Sequence, residues 1–203
     1  MITADDVQAV LAVTSDSEWL ALAVQRVAAD PETIVEVFPA AGRRCGREER
    51  PELSGWRTDD AARVLLLRTV SLRGAALDAL VADLYRFGDA HEKRAVLLAL
   101  PTLDVSVETI RALLQDAMRT NDGRLLAAAL GPAAACLDAS IWRQAVLKCV
   151  FTGVPLHNVA DLDARADAEL ATMLDGLRQE RRAAGRTMPD DAMALLARLT
   201  NGV

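Results

Sequence analysis

Helix start and stop signals recur along this chain so closely that little room is left for a sheet between them. A start is an Asp, Ser or Thr whose side-chain oxygen accepts an orphan backbone N–H, often with a carboxylate three residues later. Thr3 with Asp6, and Ser15 with Glu18, fit that pattern, and Asp30-Pro31 places proline at the first helical position. They predict helices over 4–13, 16–29 and 31–38. Pro39 and Gly42 then interrupt, so 39–57 reads as an irregular or partly helical connection. Thr58-Asp59-Asp60 opens the next helix. Leu77, Leu80, Val81 and Leu84 place another over 75–87.

Gly88-Asp89 closes that helix and caps one over 90–100, which Pro101 stops. Further helices are predicted over 105–119, 122–130, 133–138 and 139–152, with Gly153 just past the last. A short turn near 156–161 leads to a long helix over 163–184, stopped by Gly185, and a last one over 190–200. Composition agrees: alanine and leucine make up 68 of 203 residues, while aromatics are 3%. The reading is an all-α fold, about ten helices in antiparallel pairs, stacked as a compact α-superhelix or an orthogonal bundle. One domain spans 1–203, with variable helices and a connection over 1–57 and a core from 58 onward.

A net charge of −6 argues against a general binder of nucleic acid or anionic membrane. The longest uncharged apolar stretch, Leu125–Leu137, is too short to span a bilayer and contains Gly131-Pro132. No basic-then-apolar signal is read at Met1, and Cys45, Cys136 and Cys149 show no CxxC spacing. The expectation is a cytoplasmic protein with free thiols. The cluster Arg43, Arg44, Arg47, Arg50 and Arg57 reads as a solvated loop or as a contact for an anion or acidic partner.

Catalytic and metal constellations fail one by one. The pairs Asp5-Asp6, Asp59-Asp60 and Asp190-Asp191 lack the third carboxylate of a DDxxD motif, and capping explains them better. His91 and His157 have no ligand partners at metal spacing, and no GxSxG, GxGxxG or P-loop occurs. No cofactor, metal or catalytic residue is assigned. What remains is a set of polar residues on apolar helices. Gln144 and Lys148 are four apart and share a face. With Arg119, Asn121 and Arg165 they read either as solvated ends and ion pairs, or as a polar cleft for an anionic or polyhydroxylated ligand. Lys93, Trp142 and Glu180 are supporting candidates. Lys93 and Lys148 are the only lysines in a chain that otherwise uses arginine.

These residues also carry a resemblance. Residues 85–103, YRFGDAHEKRAVLLALPTL, resemble the EboA family's Gly-Asp turn, Glu-Lys-Arg and Ala-Leu-Pro stop. Arg119-Thr120-Asn121 resembles its Arg-Thr-Asn motif, and 142–156, WRQAVLKCVFTGVPL, its Trp-x-Gln-x-Val-Leu-Lys helix. Residues 165–186, RADAELATMLDGLRQERRAAGR, resemble its closing segment. The likeness covers roughly 85–190 and includes both lysines. Gly131-Pro132 departs from the family's Asn-Pro, and Ala133–Leu137 from its aromatic residues.

The resemblance implies a context. EboA-like proteins are encoded in bacterial and some plastid gene clusters, beside a UbiA-type prenyltransferase, a sugar-phosphate cyclase-like enzyme, and TIM-barrel and metal-hydrolase-like proteins. Those clusters are associated with a prenylated cyclitol-type metabolite and with export. That context, together with the failure of every catalytic constellation, gives the reading of a non-catalytic accessory protein that binds a small polar or anionic intermediate or a pathway enzyme. The alternatives are an enzyme using Lys148 or Glu180 as acid/base, and a pure interaction scaffold.

Overall fold

The computed structural model describes residues 10, 12, 14–50 and 56–201. The fold is all-α, as expected, apart from one two-residue antiparallel ladder among the described residues, β1 (Glu49–Arg50) with β2 (Trp56–Arg57). The helices are α1 (Ser17–Ala29), α2 (Ile34–Arg44), α3 (Thr58–Thr69), α4 (Gly74–Phe87), α5 (Ala90–Ala99), α6 (Val107–Arg119), α7 (Gly123–Ala129), α8 (Ala139–Thr152), α9 (Leu162–Arg165), α10 (Ala168–Ala183) and α11 (Asp190–Asn201). Short 3-10 turns lie at Pro31–Thr33, Leu100–Thr102, Pro132–Cys136 and Leu156–Asn158. No described helix is long and apolar enough to cross a membrane. Two compact units meet in sequence at Leu113 and Leu114.

In the first unit α3 is the centre, packed against α1, α2 and most extensively α5, which in turn packs on α4. Every residue from Thr58 to Leu67 is buried. A helix surrounded on all sides normally reads as apolar all round. This one carries Asp59, Asp60 and Arg63 at 0–1% exposure. In the second unit α8 packs against α7 and α10, and α10 against α11. Its core is built from Leu126, Leu130, Trp142, Val146, Cys149, Leu170 and Leu174, each at most 1% exposed.

Several expected boundaries move. Asp16, not Ser15, caps α1: its carboxylate accepts the Trp19 N–H at 3.0 Å. Pro39 does not end the second helix, which runs through it to Arg44. Proline forfeits a bond to the carbonyl four residues back. Here that carbonyl belongs to Val35, which is 59% exposed, while Ile34, Val37, Phe38 and Ala41 on the opposite side are 0–3% exposed and hold the helix down. The long helix expected over 163–184 breaks at Ala166-Asp167 into α9 and α10. Asp167 starts α10 by accepting the Leu170 N–H at 3.0 Å. The helix expected over 4–13, with Thr3 and the Asp5-Asp6 pair, lies outside the described residues except for 10 and 12.

Candidate functional site

The second unit's polar face is organised by α8. Trp142, Ala145, Val146, Cys149 and Val150 turn inward, so Gln144 and Lys148 stand on the opposite row, one turn apart. Gly153, at φ +77°, ends the helix in the left-handed conformation that glycine reaches without strain. The Lys148 ammonium donates to the Met118 carbonyl at 2.7 Å. Met118 lies in the last turn of α6, where carbonyls lack helical partners and the dipole favours a cation. A point charge on a flexible stem thus closes the end of a helix 30 positions earlier in the chain.

Two hollows flank this row. One, of about 270 Å³, is lined by Gln115, Met118, Arg119, Ile141, Gln144, Ala145 and Lys148. The other, of about 340 Å³, is lined by Asn121, Gln144, Leu147, Lys148, Phe151, Thr152 and Leu177. Four sequence candidates, Arg119, Asn121, Gln144 and Lys148, therefore come together, with Gln144 and Lys148 common to both hollows. Arg119 is mostly exposed and donates to Asp116 at 2.9 Å. An exposed pair of this kind is worth about 1 kcal/mol or less and exchanges partners readily.

The other candidates do different work. Arg165 donates to the carbonyls of Ala134 at 2.7 Å and Leu137 at 2.9 Å, with its guanidinium 4.6 Å from the Trp142 ring centre. It ties the 3-10 turn Pro132–Cys136 to the buried tryptophan, and neither residue lines the two hollows. Glu180 is exposed on α10 and also lines neither. Lys93 belongs to the first unit, where its ammonium lies 5.2 Å from the Tyr85 ring centre. Of the Asp pairs, Asp191 accepts the Leu156 N–H at 2.8 Å, pinning the turn before α9. Among the described residues no group of three or more His, Cys, Asp or Glu could hold a metal.

Sequence reasoning missed a buried ion cluster in the first unit. Asp59 receives Arg63 at 2.7 Å, Arg57 at 3.4 Å and Arg47 at 3.9 Å. Asp60 pairs with Arg94 and accepts the Arg57 N–H at 3.0 Å, which is its capping role. Arg63 also donates to the Phe38 carbonyl at 3.0 Å, and Arg57 meets His91 Nδ1 at 3.0 Å. Burial, with Arg57 and Arg47 alongside, pushes the His91 imidazole below its usual range, so the neutral ring accepts that contact. Gly42 makes room for these guanidinium groups, since a Cβ there would sit 2.9 Å from Arg47 Nε. Of the arginine cluster, Arg43, Arg44 and Arg47 are exposed and Arg57 is largely covered, and Arg47 and Arg57 both reach the buried Asp59 carboxylate. The available signal was Asp59 with Arg63 at i, i+4, Arg63 standing alone in the apolar run from Ala61 to Leu67.

The two buried thiols, Cys45 and Cys149, are not chemical candidates. Burial, helped by Asp16, pushes Cys45 up to about 12, and burial with Asp191 does the same to Cys149. Nucleophilic thiols require the opposite shift.

Comparison with known proteins agrees with the motifs. The family model described as metabolite traffic protein EboA matches residues 45–197. No curated protein and no solved structure matches the chain.

Proposed function

The chain belongs to the EboA family, and from that premise we propose that it is a non-catalytic accessory protein of metabolite traffic, binding a small polar or anionic intermediate on its second unit. The observation that carries the reading is the Gln144–Lys148 row shared by two hollows, with Arg119 beside one and Asn121 beside the other. An ammonium has three donors, and Met118 takes one. Such a row suits a phosphate, carboxylate or polyhydroxylated molecule. The pathway in this reading is bacterial and cytoplasmic, and makes a prenylated cyclitol-type secondary metabolite or prepares it for export. The acid–base alternative is less well supported, because Glu180 stands outside the hollows that Lys148 lines.

A thermal-shift series with cyclitol phosphates, isoprenoid diphosphates and the neighbouring gene products tests it. A true ligand at a hundred times its Kd adds about 2.7 kcal/mol to the folded state. Replacing Arg119 and Gln144 together by alanine should remove that shift and leave the helical circular dichroism intact. Turnover of any of these compounds by the purified protein would overturn the accessory role, and an unchanged shift in the double variant would overturn the site.

A further inference from the structure

We infer that the ligand of this face is an amphipathic anion, a single molecule with a charged head and an apolar tail, divided between the two hollows by the Gln144–Lys148 row. The inference rests on the reading that the second unit binds a small metabolite, and it specifies the chemical class. The hollows differ in kind. Around α8, Ile141 and Ala145 lie to one side of the row and Leu147 and Phe151 to the other, so each hollow belongs to one flank. On the Arg119 side a guanidinium and the Lys148 ammonium line the same hollow, Arg119 donating to Asp116 and Lys148 to the neutral Met118 carbonyl. An anionic head takes Asp116's place or shares the five donors of the guanidinium.

The other flank presents mostly apolar surface, with Asn121 and Thr152 at its border. Phe151 is 64% exposed although it sits in a wall with Leu147 and Leu177. Exposed apolar side chains are ordinary singly, but this ring borders a concave surface of ligand-site dimensions, at the small end of the usual range. A tail laid against Phe151, Leu147 and Leu177 covers apolar surface that water otherwise wets. Lys148 lines both hollows, which places the charged head next to the tail's entry. A purely polar cyclitol would use one hollow and leave the other wet. The occupant is a dissolved molecule and not an anionic bilayer, since the chain is acidic overall.

The test is a homologous series of alkyl phosphates, butyl to decyl, titrated calorimetrically below their aggregation limits. Inorganic phosphate and an alkyltrimethylammonium of matched length are the controls. The affinity should tighten roughly two- to fourfold per added methylene until the hollow is filled, and the cationic analogue should bind at least tenfold more weakly. Phe151→Asp should flatten the chain-length dependence, and Gln144→Glu should weaken every anionic member. Inorganic phosphate binding as tightly as decyl phosphate would overturn the inference while leaving the metabolite-binding reading standing. No binding of any anion, with cyclitol phosphates also inert, would sink both. Chain-length dependence that survives Phe151→Asp, or binding to anionic vesicles alone, would also overturn the inference. The length series on the unaltered protein decides the matter even if Phe151→Asp fails to fold.

Discussion

The two units use charge in opposite ways. In the first, Asp59 and Asp60 are sealed inside α3 and surrounded by Arg47, Arg57, Arg63 and Arg94. In the second, Lys148, Gln144 and Arg119 occupy a concave surface, bound to one carbonyl and one exposed carboxylate. A buried ion whose partners are all protein groups is structural, because any exchange of partners would strand a charge in a low dielectric. A half-buried cation held by a neutral carbonyl keeps its net charge available to a ligand. The number of charged residues therefore does not identify the binding unit. The way each charge is satisfied does.

The comparison is broken most directly at Asp59. Asp59→Ala leaves Arg63 buried without its closest partner and should cost about 3–5 kcal/mol in urea unfolding. Replacing Asp59 and Arg63 together by leucine and methionine should cost less, because the fully buried guanidinium goes with its carboxylate and Arg57 keeps the Arg47 carbonyl and His91. A double variant as unstable as the single one would refute the argument from desolvation.

Lys148→Met comes next. It removes a charge-assisted hydrogen bond to the end of α6 and should cost about 1.5–3 kcal/mol by the same measurement. It should also weaken anion binding, whereas Asp59→Ala should not, once both are corrected for the folded fraction.

Asp167→Ala should cost roughly 1–2 kcal/mol, the usual loss for a helix cap with a modest addition from its half-buried ion pair with Arg143. The Arg143 hydrogen bonds, with the Leu170 N–H, hold the Asp167 carboxyl below its ordinary value. A depressed carboxylate stabilises the fold above its unfolded pKa of about 3.9. That contribution is lost as pH falls through the folded value. Acid titration of the melting temperature should therefore show a steeper fall below about pH 4 in the parent than in Asp167→Ala. The smallest effect on stability belongs to Gln144→Glu, within about 0.5 kcal/mol, as for an exposed position.

These predictions mark what the sequence makes legible. The spacing of four between Gln144 and Lys148, and Gly153 beyond the helix end, were sufficient to place α8 and its polar row. Lys148's partner was not legible, because a backbone carbonyl carries no sequence signal. The break at Asp167 was hidden by good helix formers on both sides. It depends on Arg143, 24 positions earlier, which binds Asp167 through a forked contact of 2.5–3.1 Å. Asp59 and Asp60 read as caps because acids belong at helix starts, and Asp60 is one, but nothing local showed that both are buried. Their burial comes from α2 and α5 packing around α3, a tertiary fact that no local pattern encodes. Arg165 looked like a ligand group because its demand comes from carbonyls at Ala134 and Leu137.

The two anchors of α8 have a kinetic consequence. Arg143 fastens its first turns to Asp167, and Lys148 fastens its later turns to Met118. The wall a ligand meets is thus set before the ligand arrives, and little ordering remains to be done on contact. Association should then proceed at the rate of encounter, fall with added salt, and vary little among ligands of one charge. Differences between good and poor cargo would lie almost wholly in how long each one stays.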